Sequence, residues 1–275
     1  MDLLSLLLTL RPLSPSPAPS WWGRAAQVLV LQTIAASSPE LAAQLHDEQA
    51  LHPYTVSTLL GHFPNKQLDP AATYRLRITG LTAPLCAILT QAVQPGGLLA
   101  PGQTIQLDYR SFRVEAADSS PEAQPWAAQA DYSSLSAAHL LAPQSPERRV
   151  AFEFTSPTLF KTKERFFPLP LPELVFGSLL ARWNAFAPIA FPPELNRYAS
   201  ECLSIGRFDL SSRSAPVMEN SARYGAIGKI SYTTTNFDRY WMSLVHTLAA
   251  YALFAGVGKG TGMGLGQCRG IEENF

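Results

Sequence analysis

The sequence predicts an α+β protein of two tandem ferredoxin-like (RRM-like, βαββαβ) domains, residues 1–147 and 148–275. Three observations carry this. Apolar residues switch along the chain between a strand period of two and a helix period near 3.6. The resulting order of strand, helix, strand, strand, helix, strand is followed by a second set in the same order. A chain of 275 residues, 47% hydrophobic and 15% charged, is also long and apolar enough to bury two cores.

Each element has its own signal. Residues 3–11 read as a first strand; Asp2 in place of a basic residue and the short apolar run argue against a signal peptide. The prolines between 12 and 19 end it, and Ser20 is placed to cap a helix starting at Trp21-Trp22. Ser38-Pro39-Glu40 starts a short second helix that runs to about His46, with proline at its first position. Residues 54–60 and 73–81 read as strands, 84–93 as a helix and 104–116 as one extended stretch. The Ala-, Ser- and Pro-rich segment 117–148 is expected to be an irregular connection, with Trp126 and Tyr132 as anchors.

In the second half, Arg149–Phe154 alternates as a strand. Residues 171–186 and 193–202 are expected to be helical. Residues 203–210 and 225–235 are expected to pair as a hairpin, and 237–254 forms a long apolar helix before a last strand.

Net charge is zero, yet its distribution is uneven. Residues 1–147 hold 7 Lys+Arg against 11 Asp+Glu (−4), and residues 148–275 hold 14 against 10 (+4). The second domain thus carries the basic balance that phosphate binding requires. Cys86, Cys202 and Cys268 are scattered and odd in number, which supports neither a zinc site nor a disulfide framework and suits a reducing cytoplasm. No metal and no cofactor is expected, and no run is long enough to span a membrane.

The most distinctive motif is a glycine at every second position: Gly256, Gly258, Gly260, Gly262, Gly264 and Gly266. In an extended chain this spacing would put all six on one bare face, with Val257, Lys259, Thr261, Met263, Leu265 and Gln267 opposite. A ligand could then approach the backbone closely, and its N–H groups could meet phosphate oxygens. Neither a dinucleotide fingerprint nor a P-loop fits, because both need other glycine spacings and a helix after the loop.

These residues resemble a known family, the CRISPR-associated repeat-processing endoribonucleases of the RAMP superfamily. The stretch from Phe254 through Gln267 looks like its C-terminal glycine-rich signature. Residues 154–160 (FTSPTLF), 172–176 (PELVF) with Trp183-Asn184, and 225–228 (GAIG) look like its other landmarks, in the same order. Leu45-His46 followed by His52-Pro53-Tyr54-Thr55-Val56-Ser57 is similar to the segment that carries the family's catalytic histidine. The tyrosine that some members carry on the first helix has no clear counterpart in Val28-Leu29-Val30-Leu31.

The resemblance implies a metal-independent endoribonuclease that cleaves precursor CRISPR RNA within the repeat. His46 would be catalytic, either paired with His52, which stands where some members carry a lysine, or alone with help from backbone or basic groups; Lys66 is another candidate proton donor. RNA would be bound by Gly256, Gly258, Lys259, Gly260, Thr261, Gly262, Met263, Gly264, Gly266, Arg269, Lys229 and Arg223. The chemistry suits these groups, since RNA carries its own nucleophile, the 2′-OH, and needs only orientation and proton transfer. Attack by that hydroxyl leaves a 2′,3′-cyclic phosphate and a 5′-OH. The alternative is a non-catalytic RAMP subunit that binds RNA in a CRISPR effector complex. The partner expected is CRISPR repeat RNA; effector-complex subunits and a homodimer are left open.

Overall fold

The computed structural model describes residues 1–45, 51–163, 165–218 and 221–272. The chain folds into two units. The first holds residues 1–129, 216–221 and 262–264, and the second holds 130–215, 222–261 and 265–275. The division falls between residues 129 and 130, so part of the segment expected to close the first domain belongs to the second unit.

In the first unit, β1 (Leu3–Pro12) and β2 (Ser16–Pro17) precede α1 (Gly23–Ser37) and α2 (Pro39–Gln44). Then come β3 (Tyr54–Val56), β4 (Gln67–Leu68), β5 (Tyr74–Gly80), α3 (Ala83–Ala92), β6 (Thr104–Leu107), β7 (Arg110–Asp118) and β8 (Ala128–Ala130). The sheet order is β3-β5-β1-β7-β6, with every pairing along it antiparallel, and β8 also pairs with β1. Numbered within the expected motif, that is strands 2-3-1-4 with one added edge strand.

Alternation in β1 sends Leu4, Leu6, Leu8 and Leu10 into a core completed by Ala26, Leu29, Val30 and Ile34 of α1 and by Leu85 and Leu89 of α3. On the other face, Ser5 Oγ donates to the Trp126 carbonyl at 2.6 Å, and the Arg77 guanidinium lies 5.0 Å from the Trp126 ring. Trp126 is therefore the anchor expected for the irregular segment.

Three local expectations are corrected here. Ser20 does not cap α1; the helix begins after Trp22, whose N–H donates to Thr58 Oγ1 at 3.1 Å. The strand expected over 54–60 is regular only to Val56, and Ser57 and Leu60 form single bridges beyond it. Residues 104–116 are not one strand but the β6–β7 hairpin, turned at Asp108 (φ 48°) and Tyr109 (φ 63°). Two adjacent positive φ values make the kind of turn usually built with Asn-Gly or Asp-Gly. Tyrosine in that role hid the turn.

In the second unit, α4 (Tyr132–Leu140), not expected from the sequence, precedes β9 (Arg149–Thr158) and the ribbon of β10 (Phe160–Thr162) and β11 (Arg165–Phe167). Next are α5 (Pro172–Phe186), α6 (Glu194–Cys202), β12 (Leu203–Met218), β13 (Ser221–Thr234), α7 (Arg239–Ala255) and β14 (Cys268–Ile271). The order β12-β13-β9-β14 repeats 2-3-1-4. Phe152 of β9 meets Phe176 of α5 and Tyr232 of β13 edge to face, at 5.8 and 6.0 Å. Tyr132, Trp183 and Tyr251 pack α4, α5 and α7 together, with ring centroids 5.0–5.7 Å apart. The ring of Tyr132 is the reason a weakly patterned helix can dock at all.

Candidate nucleic-acid interface

The glycine run starts where α7 ends. Gly256 closes that helix with φ 61°, a left-handed conformation favouring glycine, and its N–H donates to the Ala252 carbonyl. The extended glycine face expected from the spacing is not what forms. Gly256, Gly258, Gly260, Gly264 and Gly266 all have positive φ, and Thr261–Met263 makes one 3-10 turn. The chain folds back on itself, with Val257 N–H donating to the Gly266 carbonyl at 2.8 Å and Leu265 N–H to the Gly260 carbonyl at 3.1 Å. Five of the six alternating glycines turn left-handed, which other side chains resist, while Gly262 lies in the 3-10 turn.

Most of the loop's backbone is committed internally. Gly258 N–H donates to Ser178 Oγ at 2.8 Å, Lys259 N–H to the Leu159 carbonyl at 2.9 Å and Gly266 N–H to the Pro157 carbonyl at 3.1 Å. A Cβ on Gly258 would lie 2.3 Å from the Leu159 oxygen, and one on Gly266 would lie 2.0 Å from the Val257 oxygen. The residues 154–160 that looked like a family landmark are therefore the strand end on which the loop sits. Lys259 is exposed, flanked by half-buried Gly258 and Gly260, while Gly256, Thr261, Gly264 and Gly266 are buried.

The remaining basic candidates of this unit differ in their surroundings. Arg269 of β14 holds Glu153 of β9 through Nη2 at 2.8 Å and Nε at 2.9 Å. Lys229 of β13 is register partner of the same glutamate from the other side. The Arg223 guanidinium lies 3.9 Å from the centroid of the Phe166 ring, a cation–π contact on the β10–β11 ribbon that also bears Lys161.

Within the first unit, residues 262–264 lie among its N-terminal elements. Trp21 Nε1–H donates to the Met263 carbonyl at 2.8 Å, and a Cβ on Gly23 would fall 1.7 Å from that oxygen. The sequence Trp21-Trp22-Gly23 is thus accounted for by this contact. Gly264 bridges Ser57 in parallel.

Gly262 packs on His52 and Tyr54: its missing Cβ would meet their rings at 3.5 and 3.4 Å. His52 itself stacks on Tyr54 with centroids 5.2 Å apart and planes inclined by 15°. The Tyr54 hydroxyl accepts from Gln27 Nε2 at 3.4 Å, and burial pushes its pKa above the ordinary tyrosine value. Sequence reasoning missed Gln27, since a lone helical glutamine has no motif. No tyrosine lies on α1, and Tyr54 belongs to β3. Lys66 lies in the turn Pro64–Lys66. His46 lies outside the described residues. Among the described residues, no group of three or more His, Cys, Asp or Glu could hold a metal ion.

Comparison with known proteins extends these observations. Residues 152–268 match the model of the family described as CRISPR-associated endoribonuclease Cas6. A CRISPR-associated endoribonuclease Cas6 of Mycobacterium tuberculosis is 30% identical over 124 residues, which take in 44% of this chain and 38% of that relative's length. Thermus thermophilus Cas6 is similar in structure, 26% identical with a TM-score of 0.73 and 98% of each chain covered. A product complex of a Cas6 protein gives a TM-score of 0.79 at 24% identity, covering 99% of this chain and 100% of that one.

Proposed function

We propose that the chain, which is similar to CRISPR-associated endoribonuclease Cas6 over residues 152–268, is an endoribonuclease cutting precursor CRISPR RNA within the repeat, without metal. The observation that carries the proposal is the placement of Gly262, from the glycine-rich loop, against the His52–Tyr54 stack. Within the first unit, this glycine forms a wall beside the candidate catalytic His52.

In the proposed reaction the 2′-OH beside the scissile phosphate attacks phosphorus. His46 accepts its proton, an imidazole having an unperturbed pKa of roughly 6.5 and so being suited to this near neutrality. His52 gives a proton to the departing 5′-oxygen, leaving a 2′,3′-cyclic phosphate and a 5′-OH. Tyr54 acts as a neutral stacking floor rather than as a base, since burial disfavours its ionised form. RNA phosphates are met by Lys259, Lys229 and Arg223, with Gly258 and Gly260 allowing close approach. The buried glycines shape the loop. Arg269 acts through Glu153, holding the sheet face on which Lys229 stands.

The test is cleavage of the repeat RNA encoded beside the gene, in EDTA, with analysis of product ends. Wild type should cut and leave cyclic phosphate ends; His46→Ala should lose about 10²–10⁴-fold in rate while still binding RNA. Undiminished cutting by His46→Ala removes that histidine from the mechanism. Tight binding without cutting by wild type would instead identify a non-catalytic RNA-binding subunit.

A further inference from the structure

Arg182 of α5 is 5% exposed, and burial pulls its pKa below the ordinary arginine value. It donates from Nη2 to Thr261 Oγ1 at 2.7 Å, while its Nε and Nη1 have no hydrogen-bond partner among the described residues. No carboxylate pairs with it among the described residues; Tyr251 and Cys268 are the groups whose fields reach it. A guanidinium stays charged under ordinary conditions, so the fold carries an uncompensated buried cation. Packing alone would be served better by an apolar side chain of the same length.

The atom it holds explains its retention. Thr261 is wedged between two glycines of the loop: its Cγ2 lies 3.1 Å from where a Cβ would stand on either Gly256 or Gly266. Its methyl thus fills the gap that the glycines leave, and its hydroxyl is turned to Arg182. Four residues before Arg182 on the same helix face, Ser178 receives the Gly258 N–H. One face of α5 therefore grips the loop at two points on either side of Lys259.

We propose that Arg182 is a positioning residue that, through Thr261, holds the glycine-rich loop in the conformation that binds RNA. It does not touch the RNA itself. The inference rests on the RNA-binding reading of the loop. If the loop without this bond populates the competent form about a tenth of the time, affinity falls about tenfold.

The experiment measures affinity for the repeat RNA, its salt dependence and Tm for wild type, Arg182→Met, Thr261→Val, Thr261→Ser and the Arg182→Met/Thr261→Val double variant. Arg182→Met should bind about tenfold more weakly with Tm no lower, because an apolar replacement removes a buried charge. The slope of log K against log salt should stay at the wild-type value, as no phosphate contact is lost. The double variant should be no weaker than either single one.

Thr261→Ser, which keeps the hydroxyl, should bind more tightly than Thr261→Val. That comparison decides the matter if Arg182→Met does not fold. Wild-type affinity in Arg182→Met, additive losses in the double variant, a salt slope reduced by about one contact, or equal binding by the Ser and Val variants would each overturn the assignment. A wild type that binds no repeat RNA removes the RNA-binding reading itself, and is distinguished from these outcomes by that control.

Discussion

His52 and Tyr54 show how single residues acquire meaning from their neighbours. Neither is distinctive as a type, yet their stacked rings form a flat surface beneath Gly262. Another histidine pair, His139 of α4 and His246 of α7, stacks at 6.0 Å, and His246 Nε2–H donates to the Glu147 carbonyl at 2.9 Å. Burial, and then the neighbouring His246, hold His139 below its ordinary value of 6.5. As pH falls, the unfolded chain therefore takes up a proton more readily than the folded one. Stability from this site is full above about 6.5 and is lost as pH drops through the lower folded value. Thermal unfolding should show a lower Tm at pH 5.5 than at 7.5, and His139→Gln should flatten that difference; an unchanged acid limb would exclude the pair as its source.

At the scale of elements, the glycine-rich loop is a packed structure rather than a flexible cover. Its five positive-φ glycines make it sensitive to substitution in a graded way. Gly258→Ala sets a Cβ 2.3 Å from the Leu159 carbonyl at φ 81°, so strain and collision combine. A loss of roughly 2–4 kcal/mol is expected, with weaker RNA binding. Gly102→Ala, at φ 90° with nothing within 4 Å, meets only the conformational cost of roughly 1–2 kcal/mol. Denaturant unfolding of the two variants checks this order. Equal losses would mean that the contact with Leu159 contributes nothing. The β6–β7 hairpin makes the same point: its turn was illegible because Asp108-Tyr109 is poor turn chemistry that the paired strands impose.

For the whole molecule, zero net charge conceals a basic second half, and RNA affinity should depend on salt accordingly. With Lys259, Lys229 and Arg223 on phosphates, log K should fall with log salt at a slope of about −2 to −3. A slope near zero, measured by titration between low and moderate salt, would deny these contacts. Substrate chemistry gives the companion test. A single 2′-deoxy substitution at the scissile nucleotide should stop cleavage with little loss of affinity; normal cutting of that RNA would rule out the internal nucleophile.

Periodicity alone was enough to establish two βαββαβ sets, because burying one face of each strand and helix dictates where apolar residues fall. The 2-3-1-4 strand order seen in both units agrees with that reading. The glycine spacing and the two-histidine segment were likewise visible as residue types, and RNA chemistry entered through the family resemblance they carry. Tertiary structure decided the rest. Helix α4 exists because Tyr132 docks on Trp183 and Tyr251, a contact between residues far apart in the chain. The glycines coil rather than extend because Leu159, Ser178 and Pro157 take up their backbone groups. Gln27, Arg182 and Thr261 gained their roles in the same way. A local pattern records which face of an element is buried, but not which distant atom lies against it.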